Sequence, residues 1–406
     1  MNNLRDLYQY EWKKLLSKKI ARVSILLCMV TVIISQFFPF WGDYYIDGEF
    51  IDTNYNMYQT DIAYARELSG RKIDQKLLEE TINAYRKIPD VSSQGRHYTG
   101  TKEYQQGAKR YSEIFSFIRK TTGMQTAEVM YLWEPGEEDL YAKRQVWLMG
   151  VWEELGLSQG EMDFWKKREA QMETPYVYRA HHGYSVLISN YQTVGLLVLM
   201  LIAICLSGMF SDEHTRKTDQ IILCSPLGKN RLYQAKIMTG ISFAIILTLL
   251  FFLFDFMITL CIYGPDGFKA AFQLIYAMDS DPITCGQAIM IAYGNMVAAA
   301  IIISIFVMIL SELLHSSIAT LSIMTGLLII AMIVYVPEQY RVLSQIWNWL
   351  PWCFLSPWNV FGQYTLSLFG HYLTPWQAAP MIYLISGAIL TGIEKPIYQR
   401  FQISGR

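Results

Sequence analysis

Apolar positions in this chain gather into long continuous runs, separated by stretches whose apolar residues recur at helical spacing. A bilayer core takes about 20 mostly apolar residues in a helix. Six runs meet or approach that length: 20–40, 185–209, 238–263, 286–310, 317–336 and 376–393. The second, SVLISNYQTVGLLVLMLIAICLSGM, and the fourth, GQAIMIAYGNMVAAAIIISIFVMIL, carry no formal charge. The sixth is the weakest, being short and holding Pro380 near its start. The first follows basic residues, as a signal peptide would, but continues QFFPFWGDYY without a small-residue cleavage site. A retained helix is the better reading. The pattern predicts an α-helical membrane protein with six transmembrane helices.

Helical periodicity also marks the parts between these runs. In residues 1–19, Leu4, Leu7, Tyr8, Trp12, Leu15 and Leu16 share one side, while Lys13, Lys14, Lys18 and Lys19 lie on other faces or at the end. This is an amphipathic interfacial helix, expected to lie against membrane lipid with Tyr8 and Trp12 at headgroup depth. The segment 42–183 is long enough for a domain of its own. Its stretches IDQKLLEETINAYRKI, EYQQGAKRYSEIFSFIRK and AKRQVWLMGVWEELGL read as amphipathic helices. Ser158 followed by Glu161 reads as a capping box opening a further helix. Little of the segment has strand character, so a mainly helical domain is expected. The stretch 337–375 is too apolar for an ordinary loop and is interrupted by Pro351 and Pro357. With tryptophans at 347, 349, 352, 358 and 376, it predicts a re-entrant or interfacial hairpin.

Charge orients these elements. Only 17% of residues are charged and 52% are hydrophobic, against about 25% charged in soluble domains. A net charge of −1 gives no basic surface for nucleic acid. Fourteen basic residues fall in the N-terminal flank, the 211–236 loop and the tail 394–406; the short loops 264–285 and 337–375 hold only Lys269 and Arg341. The positive-inside rule then puts both termini in the cytoplasm and 42–183 outside, in a cell membrane expected to be a bacterial plasma membrane. None of the six cysteines lies in 42–183, and whether Cys285 and Cys353 pair is left open.

Chemistry is sparse. No CxxC and no zinc spacing is present, and His181-His182 lacks a third ligand type nearby, so no metal is expected. The acidic pairs Glu137-Glu138 and Glu153-Glu154 read as solvated helical faces, and no catalytic residues are assigned. Asp255, in FFLFDFMITL, is the carboxylate well inside a span; such a residue is functional by default. It is a candidate for a translocation path together with Asn295, the alternative being burial against a polar neighbour such as Asn295 or Tyr293. Glu312 and His315 sit at the tight turn between the fourth and fifth runs, a second candidate contact for a partner.

The loop 211–236 is the most specific segment. It reads FSDEHTRKTDQIILCSPLGKNRLYQAKIM with its flanks. A short helix over Thr218–Cys224, halted by Pro226 and Gly228, leaves Ile221, Ile222 and Leu223 without a core of their own, so they need a partner groove. The loop resembles that of ABC-2 type transporter permeases, with Glu213, Thr218, Ile221–Leu223, Pro226, Arg231 and Lys236 at the matching positions. Lys217 stands where that family commonly has glycine. The interfacial helix, six spans and final hairpin fit the same family, and the large 42–183 insertion fits a subset of it. The resemblance implies a coupling helix seated in a separate ATPase, with Glu213, Thr218, Ile221, Ile222, Leu223, Pro226 and Arg231 as coupling residues. This chain has no P-loop, since Gly228-Lys229 lacks the leading glycine and the hydroxyl residue. No cofactor is expected here; ATP and magnesium would sit on two copies of the partner ATPase. A second permease copy or a related permease completes such a pore. The expected function is export of a hydrophobic or amphipathic substrate, with a membrane-active antimicrobial peptide as the guess from architecture. The alternative is a non-transporting receptor that relays ATPase motion to the outer domain.

Overall fold

The computed structural model describes residues 3–91, 97–136, 139–218 and 228–400. Ile221, Ile222, Leu223 and Pro226 of the expected coupling segment, and Glu137-Glu138, lie outside the described residues. In chain order the elements are α1 (Asn3–Ser17), α2 (Lys19–Phe37), β1 (Asp43–Ile46), β2 (Glu49–Thr53), α3 (Asn54–Leu68), α4 (Gln75–Tyr85), α5 (Lys102–Gln106) and α6 (Ser112–Thr122). They continue as α7 (Thr126–Tyr131), α8 (Leu140–Glu154), α9 (Gln159–Glu169), α10 (His182–Leu206), α11 (Ser211–Thr215), α12 (Tyr233–Tyr263) and α13 (Cys285–Leu314). The last are α14 (Ser317–Ile333), α15 (Arg341–Asn348), α16 (Pro357–Val360), β3 (Leu366–Leu368), β4 (His371–Leu373) and α17 (Pro375–Arg400).

The molecule is mainly helical, and among the described residues five helices are long and apolar enough to cross a membrane: Lys19–Phe40, His182–Thr215, Asn230–Tyr263, Cys285–Leu314 and Pro375–Gln399. An α-helical, multi-pass membrane protein follows at that level. The short apolar helix is not the sixth run but the fifth: α14 has 17 residues, the lower limit for a span. It stops at Ile333 because Val334 turns extended, with Pro337 soon after. The sixth run instead extends through Pro380 and Pro396 as a 26-residue helix.

The chain divides into two compact units. The first comprises Met1–Ile33, Ile188–Met257 and Ile291–Arg406. Within α10, 72% of the most apolar stretch is buried, against 11% for the first apolar helix, which presents Ile20, Val23, Leu26 and Leu27 outward. Helix α10 is thus a core helix, while α2 is apolar on its exposed sides, as lipid contact requires. Helix α1 makes protein contacts through the two aromatic residues expected at headgroup depth. The Tyr8 hydroxyl and the Trp12 indole N–H both donate to Ser242 Oγ on α12, at 2.9 and 3.1 Å. Glu11 and Leu15 are buried. Its aromatic side is therefore met by protein. In the 337–375 stretch, α15 exposes Val342, Leu343 and Ile346 on one side and buries Ser344 on the other, and β3 pairs with β4 through a turn at Phe369-Gly370. Cys28, Cys205, Cys261, Cys285 and Cys353 are all free thiols, so Cys285 and Cys353 do not pair.

The second unit comprises Ile34–Leu187 and Ile258–Met290. It opens with a β-hairpin, β1 against β2, that the reading of 42–183 did not include. Asp47 and Gly48 form its turn with φ of 52° and 82°, the left-handed pair that a two-residue hairpin demands. The helix expected over 103–120 breaks at Gly107, where a Cβ would meet Glu103 O at 2.9 Å. The Ser158–Glu161 capping box forms at the start of α9. The core is aromatic: Trp133, Trp152 and Trp165 are buried, and Tyr85 stacks on Phe115 with ring centroids 3.7 Å apart. His181 and His182 do not diverge as adjacent residues in a strand would; both lie within 4 Å of Glu113, at 3.7 and 3.9 Å.

A buried ionic cluster sits beside that core. Arg144 on α8 is 1% exposed and donates to Ala277 O and Asp279 O, and pairs with Glu169. Arg168 pairs with Asp281, and Gln273 Nε2 donates to Asp281 O at 2.6 Å. Burial, and the Asp281 carboxylate beside it, push Asp279 well above the ordinary carboxylate range. An acid whose pKa is raised by folding binds more protons folded than unfolded, so its contribution to stability falls as pH rises from the unfolded value toward the raised one. Asp279→Asn mimics the protonated acid. Its melting temperature relative to wild type should climb between acid and neutral pH. A constant offset across that range would show that Asp279 ionises as readily folded as unfolded.

Candidate functional site

Helix α10 ends at Leu206, and its last carbonyls need partners because helical bonding supplies none there. Ser311 on α13 satisfies the turn that follows. Its hydroxyl donates to Ser207 O at 2.6 Å and accepts from the Phe210 and Ser211 N–H groups at 3.2 and 3.0 Å. Ser211 Oγ also donates to Ser207 O. The start of the 211–236 loop is thus pinned to α13 by one side chain.

Helix α11 then presents three consecutive charged or titratable residues to three different elements. Asp212 pairs with Lys18 at 2.8 Å. Glu213 is shared between two lysines: Oε1 receives Lys14 of α1 at 2.7 Å and Oε2 receives Lys236 of α12 at 2.6 Å. His214 Nε2 lies 3.0 Å from Glu312 Oε2. Lys236 is fully buried, donates to Met209 O at 2.7 Å and holds its ammonium 4.5 Å from the Phe210 ring centroid. Lys14 also reaches Glu11 at 3.5 Å. Burial disfavours the Lys14 ammonium, but the Glu213 and Glu11 carboxylates outweigh it and hold its pKa above the ordinary lysine value. Two lysines and two glutamates therefore neutralise one another where α1, α11 and α12 meet.

Helix α11 closes in a Schellman arrangement. Thr218 N–H donates to Glu213 O and Lys217 N–H to His214 O, both at 3.0 Å, with Lys217 at φ 55°. That backbone suits glycine best. Lys217 thus departs from the resembled pattern in its side chain while keeping the left-handed backbone that a glycine takes without strain. Beyond it, Thr218 and Gly228 both line a groove of 540 Å³ along α1, next to Leu7, Tyr10 and Arg216. On the far side Tyr233 donates to Glu394 Oε2 at 3.0 Å, and Tyr398 donates to Gly228 O at 3.3 Å.

Of the residues singled out from sequence, Glu213, Thr218, Glu312 and His315 come together here. Arg231 is exposed. Asp255 and Asn295 each bond within the protein. Asp255 is fully buried and accepts from the Tyr293 hydroxyl at 2.9 Å, while Asn295 donates to Ile291 O of its own helix. Tyr293 is in turn packed edge-on by Tyr191, with ring centroids 5.7 Å apart. Sequence reading missed Lys14, Ser311 and His214 as partners, and Lys236 entered it only through the resemblance. A buried lysine at the opening of an apolar helix is the signal that was present for the last of these.

No protein-family model, curated protein or solved structure matches the chain. What it does has to be read from its own residues.

Proposed function

We propose that this chain is the membrane subunit of an ATP-driven exporter of the ABC-2 permease type, with six spans, cytoplasmic termini and 42–183 as an outer domain. The observation that carries the reading is Glu213 bound by Lys14 and Lys236. A partner that moves the 211–236 loop moves α11, and α11 cannot shift without dragging α1 and α12 or breaking a buried ion pair. This is the mechanical link that a coupling loop requires, a contiguous set of packed and ion-paired elements rather than a tethered turn. The substrate class proposed is hydrophobic or amphipathic, with a membrane-active peptide as the working case, and the ATPase is a separate chain.

One observation favours a second reading, a non-transporting receptor that relays ATPase motion outward. Asp255 is fully buried and accepts from the Tyr293 hydroxyl at 2.9 Å, so its carboxylate is met by protein inside the helix packing. The first test is purification of the tagged chain from its native membrane, with and without the double substitution Ile222→Asp and Leu223→Asp. A co-purifying P-loop ATPase that the double variant releases supports both readings. Loss of peptide efflux in Asp255→Asn, with the ATPase still bound, then favours export. Absence of any ATPase from the wild-type preparation removes the ground for either.

A further inference from the structure

Two histidines and a glutamate converge where α11 meets the turn between α13 and α14. His214 Nε2 and Glu312 Oε2 are 3.0 Å apart, and the His214 and His315 rings lie 4.1 Å apart at 87°. One ligand atom from each of the three falls within 4.8 Å of both others. We propose that His214, Glu312 and His315 bind a divalent transition-metal ion of the zinc class. Nothing in this proposal depends on the exporter reading.

The donor chemistry is that of known zinc sites, where two neutral imidazoles and a carboxylate leave a fourth position for water. Bonds of about 2.0–2.1 Å place the donors of a tetrahedral ion roughly 3.4 Å apart. The pair already at 3.0 Å and the limit of 4.8 Å bracket that edge, so the donors stand near the spacing an ion requires. Glu312 lies in the last turn of α13 and His315 follows just past the helix end at φ 50°, so the tight turn, not a helix face, brings the carboxylate and the imidazole together. His214 arrives from a segment 98 residues away, which is why no ligand spacing is visible in the sequence. Burial fits as well. Glu312 is 3% exposed, so a cation would neutralise a carboxylate that water barely reaches, while exposed His315 leaves a path in and room for the water ligand. Metal binding would cross-link α11 to the α13–α14 turn and fix the start of the 211–236 loop.

The test uses the full chain in detergent, purified without a polyhistidine tag, stripped with a chelator and titrated with zinc and separately with cobalt. The expected result is one ion per chain, a visible cobalt spectrum of four-coordinate character, and a rise in melting temperature with zinc. His214→Gln and His315→Gln should each weaken binding by at least about tenfold, in keeping with the loss of a direct ligand. Should either variant fail to fold, hydrogen exchange on the wild-type chain decides: zinc is expected to protect the backbone amides of 211–217 and 312–316. Binding that survives both variants, zinc that leaves those amides unprotected, or no uptake at millimolar zinc would each overturn the site and leave a plain His214–Glu312 hydrogen bond.

Discussion

Glu213→Ala is expected to destabilise the first unit by about 3–5 kcal/mol, the range for breaking a buried pair and stranding its partner. The size follows from Lys236. Its ammonium is fully buried, and besides Glu213 it meets a carbonyl, Met209 O, and the Phe210 ring. Without the carboxylate the lysine must stay charged in a poor environment or give up its proton, and either course is unfavourable. Lys14 is less affected, since it keeps Glu11 and some access to water. The reverse change, Lys236→Met, should destabilise less, because Glu213 retains Lys14. Combining Glu213→Ala with Lys236→Met removes the buried charges together and should recover most of the loss. Thermal unfolding of the purified chain, read as a double-mutant cycle, gives the coupling directly. Additive single effects would mean that Glu213 and Lys236 do not depend on one another, and the mechanical link proposed for α11 would go with them.

Helices were legible in this sequence wherever one face or one whole run is apolar, because the 3.6-residue period and the 20-residue length are local properties. The runs that became α10, α12 and α13 carry their own signal. So does α9, whose capping box needs only Ser158 and Glu161. The hairpin β1–β2 was legible too, and overlooked: Asp47-Gly48 between YYI and EFI is a strong two-residue turn signal. The segment was read as having little strand character and as a mainly helical domain instead. Length alone misjudged the fifth and sixth runs, since the chain turns extended after Ile333 yet stays helical through Pro380.

The candidate site was half legible, and the division is physical. Glu312 and His315 stood out at the tight turn after an apolar run, and Glu213 and Thr218 through the resemblance of the 211–236 loop. Their partners did not. Lys14 and Glu213 are 199 residues apart, and His214 and Glu312 are 98 apart, so the pairing depends on how helices pack and leaves no trace in spacing. Lys14 looked like one basic residue among several on an amphipathic helix. Ser311 fell just past the end of the 286–310 run and drew no notice, although it binds two N–H groups and a carbonyl. Asp255 shows the converse. Burial against Tyr293 was one of the readings left open for it, and the Tyr293 hydroxyl is the partner it meets.

Arg144→Met should loosen the second unit as strongly as Glu213→Ala loosens the first, and more locally. Arg144 donates to Ala277 O through both Nε and Nη2, and to Asp279 O through Nη2 at 2.8 Å. Its other side pairs with Glu169, a carboxylate whose second oxygen is buried without a hydrogen bond. Methionine fills much of the volume but leaves two carbonyls without this donor, at about 1–3 kcal/mol for each left unsatisfied, and strands Glu169. Arg144→Lys should recover only a small part, because an ammonium on a flexible stem cannot reproduce the planar fork that meets two carbonyls and a carboxylate at once. The carbonyls belong to the segment around 277–279, so the first amides to exchange faster should be those of 270–284, ahead of the aromatic core around Trp152 and Trp165. Arg144→Met combined with Glu169→Met should regain the share due to the stranded charge and none of the share due to the carbonyls. Uniformly faster exchange across the unit in Arg144→Met would mean that the arginine supports the core itself. Unchanged exchange at 270–284 would mean that it does not hold this segment at all.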